Sequence, residues 1–245
     1  MCIRDRILAT SGGFVATDLW GVMRPGRMML EALRLSGAER PRVLLVMTAS
    51  GDSPDYLASM YSALSGVGCD VDHLALFTQP NRAPTQAIGS ADVIWVGGGS
   101  VANLLALWRL HGIDDAMVEA WHRGAILAGV SAGSLCWHVG GPTDSFGAEL
   151  QVVSNGLALL PYGNGVHYDS EEQRRPLLHR VVGERVLPMS FATDDRVGIL
   201  YEGTEPVEVL CDVDVDPATG PAAYRVEVAA GAVLETRLPV GRIRE

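Results

Sequence analysis

A serine stands at the centre of a short segment whose residue types suit nucleophilic chemistry. Residues 129–133 read Gly-Val-Ser-Ala-Gly, follow the apolar residues 125–128 and lead into a second largely apolar segment. This pattern is typical of a strand, a sharp turn and a helix, in which the turn lifts the hydroxyl of Ser131 out of the sheet. The N–H of Ala132 would begin the helix without an intrahelical acceptor, so it is suited to stabilising an oxyanion. The pattern alone also fits a glycine-rich turn that carries a serine by chance.

A serine hydroxyl needs a base within hydrogen-bond reach, and the base needs an orienting carboxylate. Among the six histidines, His167 lies in the polar, glycine-rich loop of residues 163–169. Such loops bring polar groups to the carboxyl edge of an open α/β sheet, where these folds place their sites. The other five lie in or at the ends of predicted strands and helices, namely His73, His111, His122, His138 and His179. His167 is therefore the candidate base, and a turn histidine without a role is the alternative.

Two positions could supply the carboxylate that orients His167. Asp144 lies in the glycine-rich loop after the elbow helix, and Asp194 and Asp195 lie between two candidate strands. Aspartate is also common in plain turns, where it bonds the local backbone. Asp195 beside Arg196 could equally form a structural ion pair, so the residues alone leave the choice open.

The three consecutive glycines of residues 97–99 follow a strongly apolar strand at another carboxyl edge. Glycine allows a ligand to approach the backbone closely, which makes Gly98 a candidate substrate contact and Gly99 a candidate second oxyanion donor. A phosphate cradle is the weaker alternative, because neither the dinucleotide nor the P-loop pattern is present. The alternating Asp212, Asp214 and Asp216 lack the glycine and glutamate of a calcium loop and are expected in a solvated hairpin.

The elements that must position these residues alternate between strand and helix. Apolar runs predict strands over residues 7–10, 43–47, 71–76, 91–96 and 124–130, and 3.6-residue periodicity predicts helices over 27–35, 55–64, 101–110 and 116–122. Alternation of this kind indicates βαβ units and a mainly parallel sheet covered on both faces. Later segments predict a strand at 157–160, a helix at 171–182, and antiparallel strands at 207–211, 224–228 and 233–236 that extend the sheet. No linker separates two units, which predicts a single domain over residues 7–245, with residues 1–6 as an extraneous leader.

Composition narrows the class of protein. The 245 residues are 48% hydrophobic, and 19 basic against 29 acidic residues give a net charge of −10. That charge has the wrong sign for a nucleic-acid partner, and no apolar stretch is long enough for a membrane span. The four cysteines, Cys2, Cys69, Cys136 and Cys211, are scattered without metal-binding spacing, which favours a reducing, cytoplasmic setting. No metal or organic cofactor is indicated.

Taken together, these segments resemble the peptidase E family of serine peptidases, which includes aspartyl dipeptidase and is related to cyanophycinase. The matching pieces, in order, are residues 96–100, 123–125, 129–134, 143–144, 166–169 and 172–174. The resemblance covers about residues 90–200 in order and spacing. It implies a three-layer α/β/α fold similar to class I glutamine amidotransferases.

The resemblance also implies roles for individual residues. Ser131 takes the place of the nucleophile and His167 that of the base, while Gly99 and Ala132 take the places of the oxyanion donors. Asp144 matches the aspartate proposed for the family and is the preferred third member; the rival assignment falls near Asp195. The partner implied is a small peptide substrate. A homodimer is one assembly open to the chain, and the sequence leaves its oligomeric state open.

The chain departs from the aspartyl dipeptidases just before residues 172–174. Those enzymes carry an arginine there that can pair with an N-terminal aspartate of the substrate, whereas this chain has Glu171. A carboxylate would repel an acidic side chain, which predicts a dipeptidase or exopeptidase with a broad or basic-leaning preference. The alternatives are a cyanophycinase-like isopeptidase, an esterase, and a non-catalytic binding protein of the same fold.

Overall fold

The computed structural model describes residues 5–243. In chain order the strands are β1 (Arg6–Thr10), β2 (Phe14–Ala16), β3 (Met23–Pro25), β4 (Arg42–Val46), β5 (Asp70–Leu74), β6 (Val93–Val96), β7 (Ile126–Val130), β8 (Gly141–Thr143), β9 (Gln151–Val153), β10 (Gly163–Gly165), β11 (Ser190–Thr193), β12 (Val197–Glu202), β13 (Glu205–Cys211), β14 (Ala223–Ala229), β15 (Ala232–Leu238) and β16 (Gly241–Arg242). The helices are α1 (Arg27–Leu35), α2 (Pro54–Leu64), α3 (Pro84–Ser90), α4 (Val101–His111), α5 (Ile113–Arg123), α6 (Ala132–Leu135) and α7 (Arg174–Gly183).

The main sheet has eight strands in the order β16-β13-β12-β1-β7-β6-β4-β5. The strands β1, β7, β6, β4 and β5 are mutually parallel, and β12, β13 and β16 add an antiparallel side. The parallel strands are almost wholly buried because helices cover both faces, as their unbroken apolar sequences predict.

Two hydrophobic clusters fill the space between this sheet and its helices. One contains buried residues of α3, α4, α5 and α6 on one face, and the other contains those of α1 and α2 on the opposite face. Leu104 and Trp108 of α4 belong to the first, and Met28 and Ala32 of α1 belong to the second. The predicted three-layer α/β/α architecture is confirmed.

A second, four-stranded sheet has the order β10-β11-β14-β15. The sequence predicts the last two strands as an extension of the main sheet, and this placement is wrong. Instead, β14 pairs antiparallel with β11, with Phe191 opposite Arg225, and β15 pairs antiparallel with β14. A third cluster, which includes Leu178 and Val181, packs α7 on this sheet.

Three local predictions also differ from the structure. Residues 157–160 form an irregular loop instead of a strand. Helix α7 begins at Arg174 and not at residue 171, since Pro176 has no N–H and is tolerated only in a first turn. Asp212 is only 6% exposed and accepts hydrogen bonds from the N–H groups of Gly13 (2.5 Å) and Met28 (3.0 Å), so it is not part of a solvated hairpin.

The first strand begins at Arg6, one residue earlier than predicted, and the guanidinium of Arg6 donates to the carbonyl of Leu35 at 3.3 Å. Residues 1–4 of the predicted leader lie outside the described residues. Over residues 5–243, none of the helices combines the length and apolar character that crossing a bilayer requires.

Candidate active site

Ser131 occupies the turn between β7 and α6. Its backbone has φ 56° and ψ −112°, a conformation that a non-glycine residue adopts only under strain. The Ser131 N–H donates to the carbonyl of Thr10 at 3.0 Å, which ties the turn to the carboxyl end of β1. The side chain is half-buried. This is the strained strand–turn–helix geometry that the pattern of residues 129–133 predicts.

The backbone N–H groups of the two candidate oxyanion donors have no acceptor among residues 5–243. One is that of Ala132, the first residue of α6, and the other is that of Gly99. Gly99 has φ 132°, and a Cβ there would collide with the carbonyl of Ala49, so only glycine fits. A Cβ on Gly98 would lie 3.3 Å from that of Ser131. Residues 97–99 therefore pass directly beside the serine.

His167 is held against the same end of β1. Its backbone N–H donates to the hydroxyl of Ser11 at 3.1 Å, and that hydroxyl lies 2.7 Å from the hydroxyl of Thr193. Thr10 bonds the Ser131 turn and Ser11 bonds the His167 backbone, so consecutive residues at one strand end hold the two segments. His167 itself has φ 53°, a left-handed conformation that turns its loop back towards the sheet.

Asp195 is the carboxylate that contacts His167. Its Oδ1 accepts from Nδ1 of His167 at 2.6 Å, with the histidine side chain 25% and the aspartate side chain 43% exposed. Asp195 lies in the tight turn between β11 and β12, which the bond from the Val197 N–H to the Asp194 carbonyl closes at 3.1 Å. This pairing fixes the Nδ1–H tautomer and leaves Nε2 of His167 free to accept a proton.

The structure does not place Asp144, the acid that the sequence analysis prefers, in a bond with His167. Asp144 lies in an exposed turn after β8, closed by a bond from the Gly147 N–H to its carbonyl, and its carboxylate has no hydrogen bond to His167 or any other described residue. Asp195 also forms no ion pair with Arg196 within residues 5–243. Of the candidate acids, Asp195 is the one that bonds His167, because β12 runs antiparallel to β1 and the turn before β12 lies at the same sheet edge as His167.

Asp194, the other aspartate of that turn, points away from His167. It is 3% exposed, and its Oδ2 accepts from the Ala222 N–H at 2.9 Å and from the Tyr224 hydroxyl at 3.2 Å. Burial raises the pKa of the Asp194 carboxyl, although the Ala222 bond opposes this shift. Asp194 thus anchors the turn to the second sheet while Asp195 faces the histidine.

Glu171 lies one turn after the histidine, and its N–H donates to the His167 carbonyl at 3.1 Å. Its carboxylate accepts from Nε of the buried Arg174 at 2.7 Å. A recess of about 450 Å³ adjoins it, bordered by Asp144, Ala148, Leu150, Glu171, Glu172 and Gln173. Three of these six residues are acidic, so the predicted substrate contact lies in an acidic recess.

The sequence alone does not identify two further residues of the site, Ser11 and Asp169. Ser11 joins β1, β11 and the His167 backbone, and the carboxylate of Asp169 accepts from the Asp195 N–H at 2.8 Å. The one sequence feature that could have indicated a role for Ser11 is its position at the carboxyl end of the first strand. The role of Asp169 depends on how two distant turns meet, for which the sequence holds no local signal.

Comparison with known proteins identifies the family of the chain. The family model described as Peptidase family S51 matches residues 27–208. The chain is 35% identical over 237 residues to the uncharacterized peptidase YgaJ of Bacillus subtilis (strain 168), covering 96% of this chain and 97% of that protein. It is 28% identical over 131 residues to Peptidase E of Streptomyces coelicolor (strain ATCC BAA-471 / A3(2) / M145), covering 52% and 51%.

A solved peptidase from an acI-B1 Actinobacterium shares the fold, with a TM-score of 0.72 at 15% identity over 97% of this chain and 96% of that one. The matched family model, which spans most of the chain, and the relative at 35% identity lead to one conclusion. The chain belongs to peptidase family S51 and is a serine peptidase of the peptidase E type.

Proposed function

We propose that the protein is a dipeptidase or exopeptidase that hydrolyses short peptides through an acyl-enzyme, with Ser131, His167 and Asp195 as its triad. The observation that carries the proposal is the 2.6 Å bond between His167 and Asp195, in a loop bonded to the same strand end as the Ser131 turn. A histidine fixed in this way can take the serine proton through Nε2.

The catalytic cycle follows from these positions. Ser131 attacks the peptide carbonyl as His167 removes its proton, and the oxyanion forms beside the N–H groups of Gly99 and Ala132. Protonated His167 then gives its proton to the leaving amine. Water, activated by the same imidazole, attacks the ester carbon and regenerates the hydroxyl of Ser131.

The acidic recess supports a preference other than strict Asp-Xaa cleavage. Arg174 is buried and already paired with Glu171, so its charge is not available to an acidic side chain of the substrate. Asp144 and Glu172 have no ion-pair partner among residues 5–243. An N-terminal aspartate would therefore enter a region of uncompensated negative charge, whereas a neutral or basic residue would not.

A dipeptide panel tests the function. Dipeptides with N-terminal Asp, Arg, Leu and Ala are incubated with the wild type and with Ser131→Ala, and amine release is measured. We expect cleavage of the Arg, Leu or Ala peptides, with kcat about 10⁴-fold or more lower in the variant. Fast cleavage of the Asp peptide alone would contradict the proposed specificity. Equal turnover by both proteins would contradict the assignment of Ser131.

The setting proposed for this activity is the cytoplasm, with residues 7–245 as one catalytic domain and neither metal nor organic cofactor. The buried, unpaired thiols of Cys69, Cys136 and Cys211 support a reducing compartment.

The triad chemistry needs no Lewis acid, so activity should survive dialysis against a chelator. A substrate-dependent loss on chelation that zinc or magnesium restores would refute the cofactor-free mechanism. A homodimer is testable by light scattering.

A further inference from the structure

A cluster of polar and aromatic side chains lies behind the turns that carry His167 and Asp195. At its centre, the guanidinium carbon of Arg175 lies 4.5 Å from the ring centre of Tyr168 and 4.6 Å from that of Tyr224. The two ring centres are 5.4 Å apart with planes inclined at 47°. One cation on α7 therefore contacts the faces of both tyrosines.

The first tyrosine is joined to the catalytic histidine. Tyr168 follows His167 directly, is 3% exposed, and donates its N–H to the carbonyl of Thr193 at 3.2 Å. Its hydroxyl donates to Oε2 of Glu235 on β15 at 2.8 Å. Because Tyr168 follows His167 directly and its ring is buried and bonded at the hydroxyl, the Tyr168 side chain helps to hold the backbone that carries His167.

The second tyrosine is joined to the catalytic acid. The hydroxyl of Tyr224, on β14, donates to Oδ2 of Asp194 at 3.2 Å. Asp194 and Ala222 are further joined by bonds between the Asp194 N–H and the Ala222 carbonyl (3.0 Å) and between the Ala222 N–H and the Asp194 carboxylate (2.9 Å). Asp195 is the next residue, so the position of Tyr224 sets the position of the triad carboxylate.

Arg175 is itself held in place. Its Nη1 donates to Oε1 of Glu235 at 2.9 Å, and the other oxygen of this carboxylate lies 2.7 Å from Nε2 of His179. The Glu235 side chain is only 18% exposed. A half-buried carboxylate therefore fixes the guanidinium edge while the two rings contact its faces.

From these contacts we propose that Arg175 is a positioning residue for the His167–Asp195 pair. It contacts the ring of Tyr168, which follows His167, and the ring of Tyr224, whose hydroxyl bonds Asp194. Arg175 thereby sets the separation between the turn of His167 and the turn of Asp195. It touches no reacting atom. The inference rests on the proposed function only in taking His167 and Asp195 as the acid–base pair.

The geometry explains why arginine occupies this position. A flat, delocalised cation can contact two inclined rings with its faces and a carboxylate with its edge. A lysine ammonium would keep the attraction to the rings but lacks the planar shape. A methionine of similar length would lose both the charge and the bond to Glu235. Arg175→Lys and Arg175→Met thus form a graded pair.

Three measurements separate positioning from simple stabilisation. They are kcat and KM on a dipeptide that the wild type cleaves, the rate at which a fluorophosphonate probe labels Ser131, and the tautomer of His167 from nitrogen-15 NMR. A displacement of about 1 Å at a catalytic group costs up to about 10²-fold in rate. We expect Arg175→Met to lower kcat and the rate of Ser131 labelling about 10- to 100-fold, while KM stays within about twofold of the wild-type value. The fraction of His167 in the Nδ1–H tautomer should fall as well. Arg175→Lys should recover part of each.

The matched control is Arg180→Met, an exposed arginine of the same helix that contacts neither tyrosine. It should leave all three measurements unchanged. If Arg175→Met lowers only the melting temperature, with wild-type labelling and tautomer, the positioning role is refuted. If the wild type fails to label, the proposed function fails, and the tautomer comparison still decides the role of Arg175.

Discussion

The two halves of the candidate site are built differently. The serine half comes from one segment, residues 129–133, packed so closely that Cβ atoms on Gly129 or Gly133 would meet backbone. The histidine half comes from three segments, near residues 11, 167 and 195, joined by side-chain hydrogen bonds and partly open to solvent. The nucleophile is thus positioned by local backbone geometry, and its base by tertiary contacts.

This difference explains what each half tolerates. In the serine half the turn conformation is set by the strand and helix on either side, so a substitution acts through the backbone. In the histidine half the catalytic geometry depends on individual bonds, such as the one between His167 and Asp195, so a substitution can abolish activity while the fold survives. The predictions below test this contrast.

The largest effect is expected in the histidine half, from Asp195→Asn. An amide in place of the carboxylate favours the wrong His167 tautomer, and in a triad this lowers kcat by about 10⁴-fold. Asp144→Asn, the matched variant, should change kcat by less than about twofold on a dipeptide with a neutral N-terminal residue, because Asp144 does not bond His167. Dipeptide kinetics on both variants give the answer. A loss confined to Asp144→Asn would return the triad to the sequence-based assignment.

Gly133→Ala tests the serine half through stability. The added Cβ would overlap the carbonyl of Val96, which is backbone and cannot move aside, so we expect a loss of about 3 kcal/mol in unfolding free energy. The counterpart in the histidine half is Gly165→Ala, whose Cβ would lie 3.0 Å from Ala192 Cβ and 3.1 Å from a Leu178 methyl.

Those side-chain neighbours can shift, so Gly165→Ala should cost about 1 kcal/mol. Urea denaturation of the two variants under identical conditions measures the difference. Equal losses, or a larger loss for Gly165→Ala, would show that the serine half is not the more rigidly packed one.

Sequence-based prediction succeeds where a feature depends on neighbouring residues and fails where it depends on tertiary contacts. The strand–turn–helix around residues 129–133 could be predicted because its five residues are consecutive. Helix α1 could be predicted at its observed bounds because its apolar positions repeat regularly. The choice of Asp195 over Asp144 was not readable, because it depends on β12 running antiparallel to β1. Likewise, strands β14 and β15 have clear strand sequences, but nothing local states which sheet they join.

His138 makes the stability of the serine half depend on pH. It is fully buried beneath α6, where its Nδ1 donates to the Ser134 carbonyl at 2.9 Å. Burial lowers the pKa of His138 from 6.5 to about 4. Between these values the unfolded chain binds a proton that the folded chain does not, so unfolding free energy falls as pH falls, by about 3 kcal/mol across the window.

His138→Gln cannot titrate and should flatten this part of the curve. The exposed His122→Gln is the control and should keep the wild-type slope. Urea unfolding of each protein at pH values of roughly 4, 5, 6 and 7 gives the slope of the unfolding free energy against pH. Identical slopes for wild type and His138→Gln would mean that this imidazole does not set the acid limit.

The smallest effect concerns specificity, and it lies beside the histidine half. Glu171→Gln removes one negative charge from the acidic recess and leaves the charge of the buried Arg174 without a carboxylate partner. Both changes make the recess less negative, so the ratio of kcat/KM for Asp-Leu to that for Arg-Leu should rise about threefold. The exposed Glu119→Gln on α5 removes the same charge elsewhere and should leave the ratio unchanged. A ratio that moves equally in both variants would trace selectivity to overall charge, whereas a shift in Glu171→Gln alone would locate it at Glu171.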